Sequence, residues 1–205
     1  MDSTWLDWAR KLNALAQTGL TFTENPYDVE RYTAIREIAA EMIARATGSE
    51  VARVLALLDR DTGYATPKVD VRGVVFQDGK ILLVRERTDG LWALPGGWAD
   101  VNDSPASAVV REIREEAGYE TRAIKLLALL DRNRHNHPPH VNHIYKAFIR
   151  CEIIGGEPAT SHEIQDVGFF GEDEIPELSL TRNVPTQIAR MFEHFRQPDL
   201  PADFD

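Results

Sequence analysis

The 205-residue chain is long enough for one ordinary domain with an accessory segment or for two small domains, and its 43% hydrophobic and 27% charged residues are those of a globular protein, not a disordered one. A formal charge of −10 argues against a duplex nucleic-acid binder held by phosphate contacts, and no apolar run approaches the roughly 18–20 residues that span a bilayer. Residues 1–15 lack the apolar core of an export signal and Cys151 is the only cysteine, so the expectation is a cytoplasmic protein without an intrachain disulfide.

Residues 1–63 read as a small all-helical domain. In a first helix Trp5, Trp8, Leu12 and Leu15 recur at helical spacing, with Ser3 as a candidate cap and Gly19 as the stop. A second helix begins after Asn25-Pro26, carries Tyr32, Ile35, Ile38, Ala39, Met42 and Ile43 as its apolar stripe, and ends at Gly48. A third, over 49–58, presents Val51, Val54, Leu55 and Leu58. Three short helices hold little core of their own, so this segment is expected to pack on the rest of the chain or on a second subunit, and Trp5 and Trp8 are expected to pack the helices themselves or a dimer contact.

Gly, Thr and Pro gather at 62–67, and the second domain, 67–205, alternates strands with fewer helices. A strand over 69–76, the turn Asp78-Gly79 and a returning strand over 80–87 form a hairpin. A short strand at 91–94 leads through Pro95 into a Gly96-Gly97 loop. Ser104-Pro105 reads as a cap followed by proline in the first turn of a helix that runs to 117 and stops at Gly118. Strands are expected near 120–131, 142–154 and 164–170, with a turn at Gly155-Gly156, and a last amphipathic helix over 184–196.

The chemistry is concentrated in 97–119, GWADVNDSPASAVVREIREEAGY. On a helix Glu112, Glu115 and Glu116 are related as i, i+3 and i+4 and share a face. Such carboxylates repel one another unless a cation joins them, and hard oxygen ligands suit Mg²⁺. Arg111, one turn from Glu115, has the planar fork to hold a carboxylate, and Gly96 and Gly97 bring bare backbone and two carbonyls close. The bland alternative is a solvated Glu-rich helix face.

Glycine loop, Arg-Glu, Glu-Glu and closing glycine together resemble the Nudix box on Gly97, Arg111, Glu112, Ile113, Glu115, Glu116 and Gly118. The chain departs at Asp103, where the family usually has Glu, and mildly at Tyr119, an aromatic in an aliphatic position. The resemblance extends more loosely over LWALPGGW before the box and EIQDVGFFGEDEIPEL after it. The N-terminal segment, with DRNRHNHPPH at 131–140 and IPELSL at 175–180, is similar to a Nudix subgroup with a helical extension that includes CDP-choline and ADP-ribose pyrophosphatases.

The resemblance implies a Nudix α/β/α sandwich with a mixed sheet. It also implies a Mg²⁺-dependent hydrolase, with Mn²⁺ as substitute, that splits a nucleoside diphosphate-X into NMP and phospho-X. A homodimer is implied, with the helical segment contributing to the interface and the pocket. By motif position Glu112, Glu115 and Glu116, with the Gly96 and Gly97 carbonyls, would hold the metal, and Arg111 would orient them. The general base would be a box glutamate such as Glu115, or Glu163 on a later loop.

For the substrate, the basic stretch with Arg132, Arg134 and His135 offers phosphate or ribose contacts, against the plainer reading of a polar loop; Arg85 and Arg87 offer phosphate contacts, against that of a strand edge; Trp98 offers stacking. Two other functions compete. One is a house-cleaning hydrolase of modified nucleoside triphosphates or RNA ends. The other is a non-catalytic nucleotide-sensing module, which the three intact glutamates argue against.

Overall fold

The helical segment forms α1 (Ser3–Phe22), α2 (Pro26–Thr47) and α3 (Val51–Leu58) in the computed structural model, which describes residues 3–205, Ser3 by its backbone only. The expected cap at Ser3 therefore falls on a side chain outside the described residues. Contrary to expectation, α1 runs through Gly19 to Phe22. Tyr32 of α2 lies against Gly19, where an added Cβ would fall 2.4 Å from the ring, so the glycine serves close helix approach and not termination. Asn25 caps α2 by accepting from the Tyr27 amide at 2.9 Å, and Gly48 closes it at φ 67°.

The buried face of this unit is Leu6, Ala9, Ala40, Ile43, Ala44, Val54 and Leu58. The expected stripe on α1 is corrected: Trp5 and Trp8 are about half exposed and meet each other edge to face at 5.2 Å. Leu6, Ala9 and Ala16 occupy the inner face instead. Small residues let α1 and α2 approach closely, which leaves no room there for indoles. By contact the chain divides into two units, and 139–143 belongs with the helices and not with the sheet around it in sequence. Val141 packs on the helical core, and Arg10 donates to the His140 and Val141 carbonyls.

The second unit is built on a mixed sheet. Its strands are β1 (Lys68–Gln77), β2 (Lys80–Glu86), β3 (Trp92–Ala93), β4 (Tyr119–Asp131), β5 (Ile144–Gly156), β6 (Ile164–Phe170) and β7 (Asp203–Phe204). The order is β3-β2-β1-β5-β4-β7, with β6 also on β2. β1 and β2 form the expected antiparallel hairpin, and Asp78 and Gly79 take positive φ at its turn. β1 runs parallel to β5 from Lys68↔Ile144 to Val75↔Cys151.

Alternating side chains feed two cores. Val71, Val75, Leu82 and Val84 meet Val109, Ile113 and Ala117 of α4 (Pro105–Ala117). Val74, Ile81, Leu83 and Phe148 meet Ile188, Met191 and Phe192 of α5 (Pro185–Arg196). Phe169 and Phe170 divide between these cores, as adjacent strand residues must. Gly155 and Gly156 pair with Glu120 and Tyr119 inside the β4–β5 ladder and do not turn the chain, and β7 was not anticipated. Among the described residues no helix is long and apolar enough to cross a membrane.

Candidate active site

The ends of α4 are set by local chemistry. Ser104 Oγ accepts from the Ser107 amide at 3.0 Å, Pro105 begins the first turn, and Gly118 closes the last at φ 80°. With the helix phase fixed by Val109 and Ile113 in the core, Glu116 is buried, Glu112 is mostly buried and Glu115 faces outward.

Facing this helix, loop 94–99 is laid along β1. Gly73 N donates to Pro95 O at 2.8 Å, Val71 N to Gly97 O at 2.8 Å, and Ala99 N to Val69 O at 3.0 Å. Gly96 adopts φ 143°, and a Cβ there would come within 2.0 Å of Val71 O. Gly97 lies against Glu112, with both carboxylate oxygens 3.2 Å from where a Cβ would stand. The Gly96 amide donates to Glu116 Oε2 at 2.7 Å. The Gly97 carbonyl, expected with that of Gly96 to complete a metal shell, accepts from β1 through one of its two lone pairs, and the absent side chain of Gly97 leaves space to Glu112.

Arg111 is the hub of the acidic face. It lies 3.2 Å from Asp100, 3.2 Å from Asp103, 2.8 Å from Glu112 and 3.3 Å from Glu115. Asp103, the departure from the box, thus still reaches Arg111. Burial pushes the Glu116 carboxyl up to about 8 despite Arg72 and the Gly96 amide, and Glu112 adds to the rise. Burial also raises Glu112, with Glu115 adding to it, against the pull of Arg111. Among the described residues no three acidic, imidazole or thiol side chains already converge at ligating distance. The donor set nevertheless fits a hard divalent cation: two desolvated carboxylates whose charged forms are disfavoured by burial and by a neighbouring carboxylate, Glu115 for Glu112 and Glu112 for Glu116.

Under the loop lies a buried ion cluster that sequence reading missed. The Arg72 guanidinium forks onto Asp70 at 2.8 and 2.7 Å, and Lys146 Nζ joins Asp70 at 2.7 Å. Arg72 Nη1 also donates to Leu94 O at 3.1 Å. Burial opposes ionisation of Asp70, but Arg72 and Lys146 outweigh it and hold the carboxyl at about 2. A second buried acid, Glu86, is gripped by Arg182, whose Nη2 donates at 2.6 Å. The only signal for either was a charged residue inside a strand pattern.

Glu163 is exposed and lies 3.2 Å from His162, and its carbonyl accepts from the Arg87 amide at 2.8 Å, so Glu163 and Arg87 share one strand end. Arg87 Nε donates to Ser161 O at 3.3 Å and Arg85 Nε to Gly90 O at 2.8 Å. Trp98 is 44% exposed and bridges to Asp70 through the backbone. Arg132 is buried in a single 3-10 turn, while Arg134 is exposed and lies 3.9 Å from Asp131. His135 Nε2 sits 3.0 Å from Asp205. Beyond it, His137 is held at about 4 by burial, with Arg132 and Lys146 adding to the effect against the Leu180 carbonyl.

Known proteins align with both units. Residues 66–195 match the NUDIX domain, and residues 3–58 match the UDP-X-like, N-terminal oligomerisation domain. YjhB of Bacillus subtilis (strain 168) is 44% identical over 205 residues, which is 100% of this chain and 99% of that protein. A crystal structure of a UDP-X diphosphatase superposes with a TM-score of 0.65 at 33% identity, covering 100% of each chain. That of an ADP-ribose pyrophosphatase from Streptococcus suis 89-1591 gives 0.63 at 43% identity, covering 68% of this chain and 100% of that one. With its box on α4 and the glycine loop, its mixed sheet and its helical extension, the chain belongs to the Nudix hydrolases, as a pyrophosphatase-type enzyme with a UDP-X-like N-terminal oligomerisation domain.

Proposed function

We propose that this enzyme is a Mg²⁺-dependent, homodimeric pyrophosphatase of nucleoside diphosphate-X compounds, of the ADP-ribose or CDP-choline type, yielding NMP and phospho-X. The observation that carries it is the pairing of Glu112 and Glu116 with the glycine loop, two desolvated carboxylates gathered by Gly96, Gly97 and Arg111. Glu112, Glu115 and Glu116, with the Gly96 carbonyl, would hold the cation, which supplies charge neutralisation at the phosphoryl oxygens.

The chain's own residues do the rest. Arg111 keeps Glu112 and Glu115 in place. A water oxygen attacks phosphorus, the bond from phosphorus to the bridging oxygen breaks, and the water proton passes to Glu115 or Glu163. Arg87, near Glu163, would contact phosphate, and Trp98, next to Gly97, would stack on base or ribose. Arg132, Arg134, His135 and Arg85 complete the proposed substrate contacts.

Names of relatives support this substrate class: ADP-ribose pyrophosphatase for the Streptococcus suis structure and UDP-X diphosphatase for the full-length match. Exposed Trp5, Trp8, Leu15 and Phe22 on α1 support self-association through the helical unit. The test is a panel of ADP-ribose, CDP-choline, a UDP-sugar and 8-oxo-dGTP, with Mg²⁺ and with Mn²⁺, alongside the mass in solution. NMP release from a diphosphate conjugate, at twice the chain mass, is expected. Turnover of the triphosphate alone overturns the substrate class, and nucleotide binding without turnover overturns hydrolysis.

A further inference from the structure

The backbone of Leu94 is gripped from two sides. Its amide donates to Asn183 Oδ1 at 2.9 Å, and its carbonyl accepts from Arg72 Nη1 at 3.1 Å. Asn183 is fully buried and comes from the segment just before α5; Arg72 is buried and comes from the middle of β1. Neither is near the box in sequence, and both hold the residue two positions before Gly96.

The segment that brings Asn183 is itself fixed. Ser179 N donates to Trp92 O at 2.8 Å, Trp92 N to Glu177 O at 3.0 Å, and Arg182 is tied to buried Glu86. Arg72 is fixed by Asp70, which Lys146 also holds. Leu94, where the loop leaves β3, is thus held by two preset anchors; further along, Pro95 O and Gly97 O accept from β1, and the Gly96 amide between them ends on Glu116.

We propose that Asn183 and Arg72 are positioning residues that set the glycine loop, and through it the Gly96 amide and carbonyl, against Glu116. The inference rests on the reading that the box glutamates hold a divalent cation, because its effect on catalysis runs through that cation. Side chains one step removed from a ligand set typically change metal affinity or activity by roughly 10–100-fold when altered.

The full-length metal-free protein supplies the direct test, by NMR exchange of the Gly96 amide, alongside Mn²⁺ binding followed by EPR. Asn183→Ala removes the acceptor for Leu94, while Asn183→Asp keeps an oxygen at the same reach. Asn183→Ala should speed Gly96 exchange and weaken Mn²⁺ binding, each by about tenfold or more, and lower kcat with KM nearly unchanged. Asn183→Asp should restore all three to within about threefold of wild type.

Should Asn183→Ala fail to fold, Arg72→Lys, which keeps a cation for Asp70 but cannot also reach Leu94 O, is expected to show the same losses. Wild-type exchange at Gly96 and wild-type Mn²⁺ affinity in a folded Asn183→Ala or Arg72→Lys protein overturn the proposal, as does an Asn183→Asp protein no better than Asn183→Ala. A wild-type protein that binds no Mn²⁺ sinks the metal reading instead, and Gly96 exchange alone then decides the clamp.

Discussion

The Gly96 amide and the Glu116 carboxylate, 20 residues apart, share a 2.7 Å hydrogen bond that ties the glycine loop to the acidic helix. The bond favours the ionised carboxylate, yet it does not offset the cost of burying the charge, and Glu116 remains pushed up to about 8.

That imbalance gives a pH signature. A carboxyl raised in the folded state binds its proton more tightly there than when unfolded, so its contribution is intact below the ordinary carboxylate range and is lost as pH rises through about 8. In EDTA, the melting temperature of the wild type should fall relative to Glu116→Gln between pH 5 and pH 9. Added Mg²⁺ should recover more stability at pH 8 than at pH 5. The same variant should lose about 10²–10³-fold in kcat, the scale for removing one group that supports developing charge. Parallel melting curves for the two proteins across this range would contradict the burial argument.

Asp70 behaves in the opposite sense. With its carboxyl held at about 2, its stabilising contribution is present above the ordinary carboxylate range and lost as pH falls towards 2. Asp70→Asn leaves Arg72 and Lys146 buried without their anion, and denaturant unfolding should show a loss of about 3–5 kcal/mol.

Gly96→Ala tests the loop backbone. Its Cβ would come within 2.0 Å of Val71 O on a strand that cannot yield without disturbing the β1–β5 ladder. The expected result is a folded sheet by circular dichroism with hydrolysis reduced about 10²-fold or more, since small displacements of a positioned group have that scale of effect.

Arg111→Ala releases Glu112 and Glu115 from their common partner. Titration of activity with Mg²⁺ should show the half-saturating concentration raised by about 10–100-fold. Asp103→Ala, which removes only one of the contacts to Arg111, should show a smaller shift in the same direction.

The helical unit makes a packing prediction. Gly19→Ala would place a methyl group 2.4 Å from the Tyr32 ring, and overpacking of this kind costs about 1–3 kcal/mol. Differential scanning calorimetry should show a lower transition temperature for the variant.

Sequence was most legible where the determinants are local. Ser104, Pro105 and Gly118 bound α4 by hydrogen bonds within three or four residues, and Asp78-Gly79 closes the hairpin by its own backbone angles. The parallel pairing of β1 with β5 joins residues more than 70 apart, and no local pattern encodes it. The same distance hides Asn183 behind Leu94 and Lys146 behind Asp70, because a buried polar side chain looks like a surface one until its partner is in place. Gly19 is ambiguous for a related reason: a glycine that admits Tyr32 looks the same in sequence as one that ends a helix. Trp5 and Trp8 sit at helical spacing but outside the close alanine-lined contact of α1 and α2, and periodicity alone does not tell which apolar face of α1 is buried within the unit.

The central claim is diphosphate hydrolysis dependent on a divalent cation held by the α4 glutamates. It is tested most directly by incubating ADP-ribose and CDP-choline with the wild type, Glu112→Gln and Glu116→Gln in Mg²⁺ and in EDTA, with products resolved by ³¹P NMR. The account predicts AMP with ribose 5-phosphate, or CMP with phosphocholine, from the wild type in Mg²⁺, and a near-complete loss of product in EDTA and in both variants. Equal product from the wild type in EDTA, or from either variant in Mg²⁺, would contradict it.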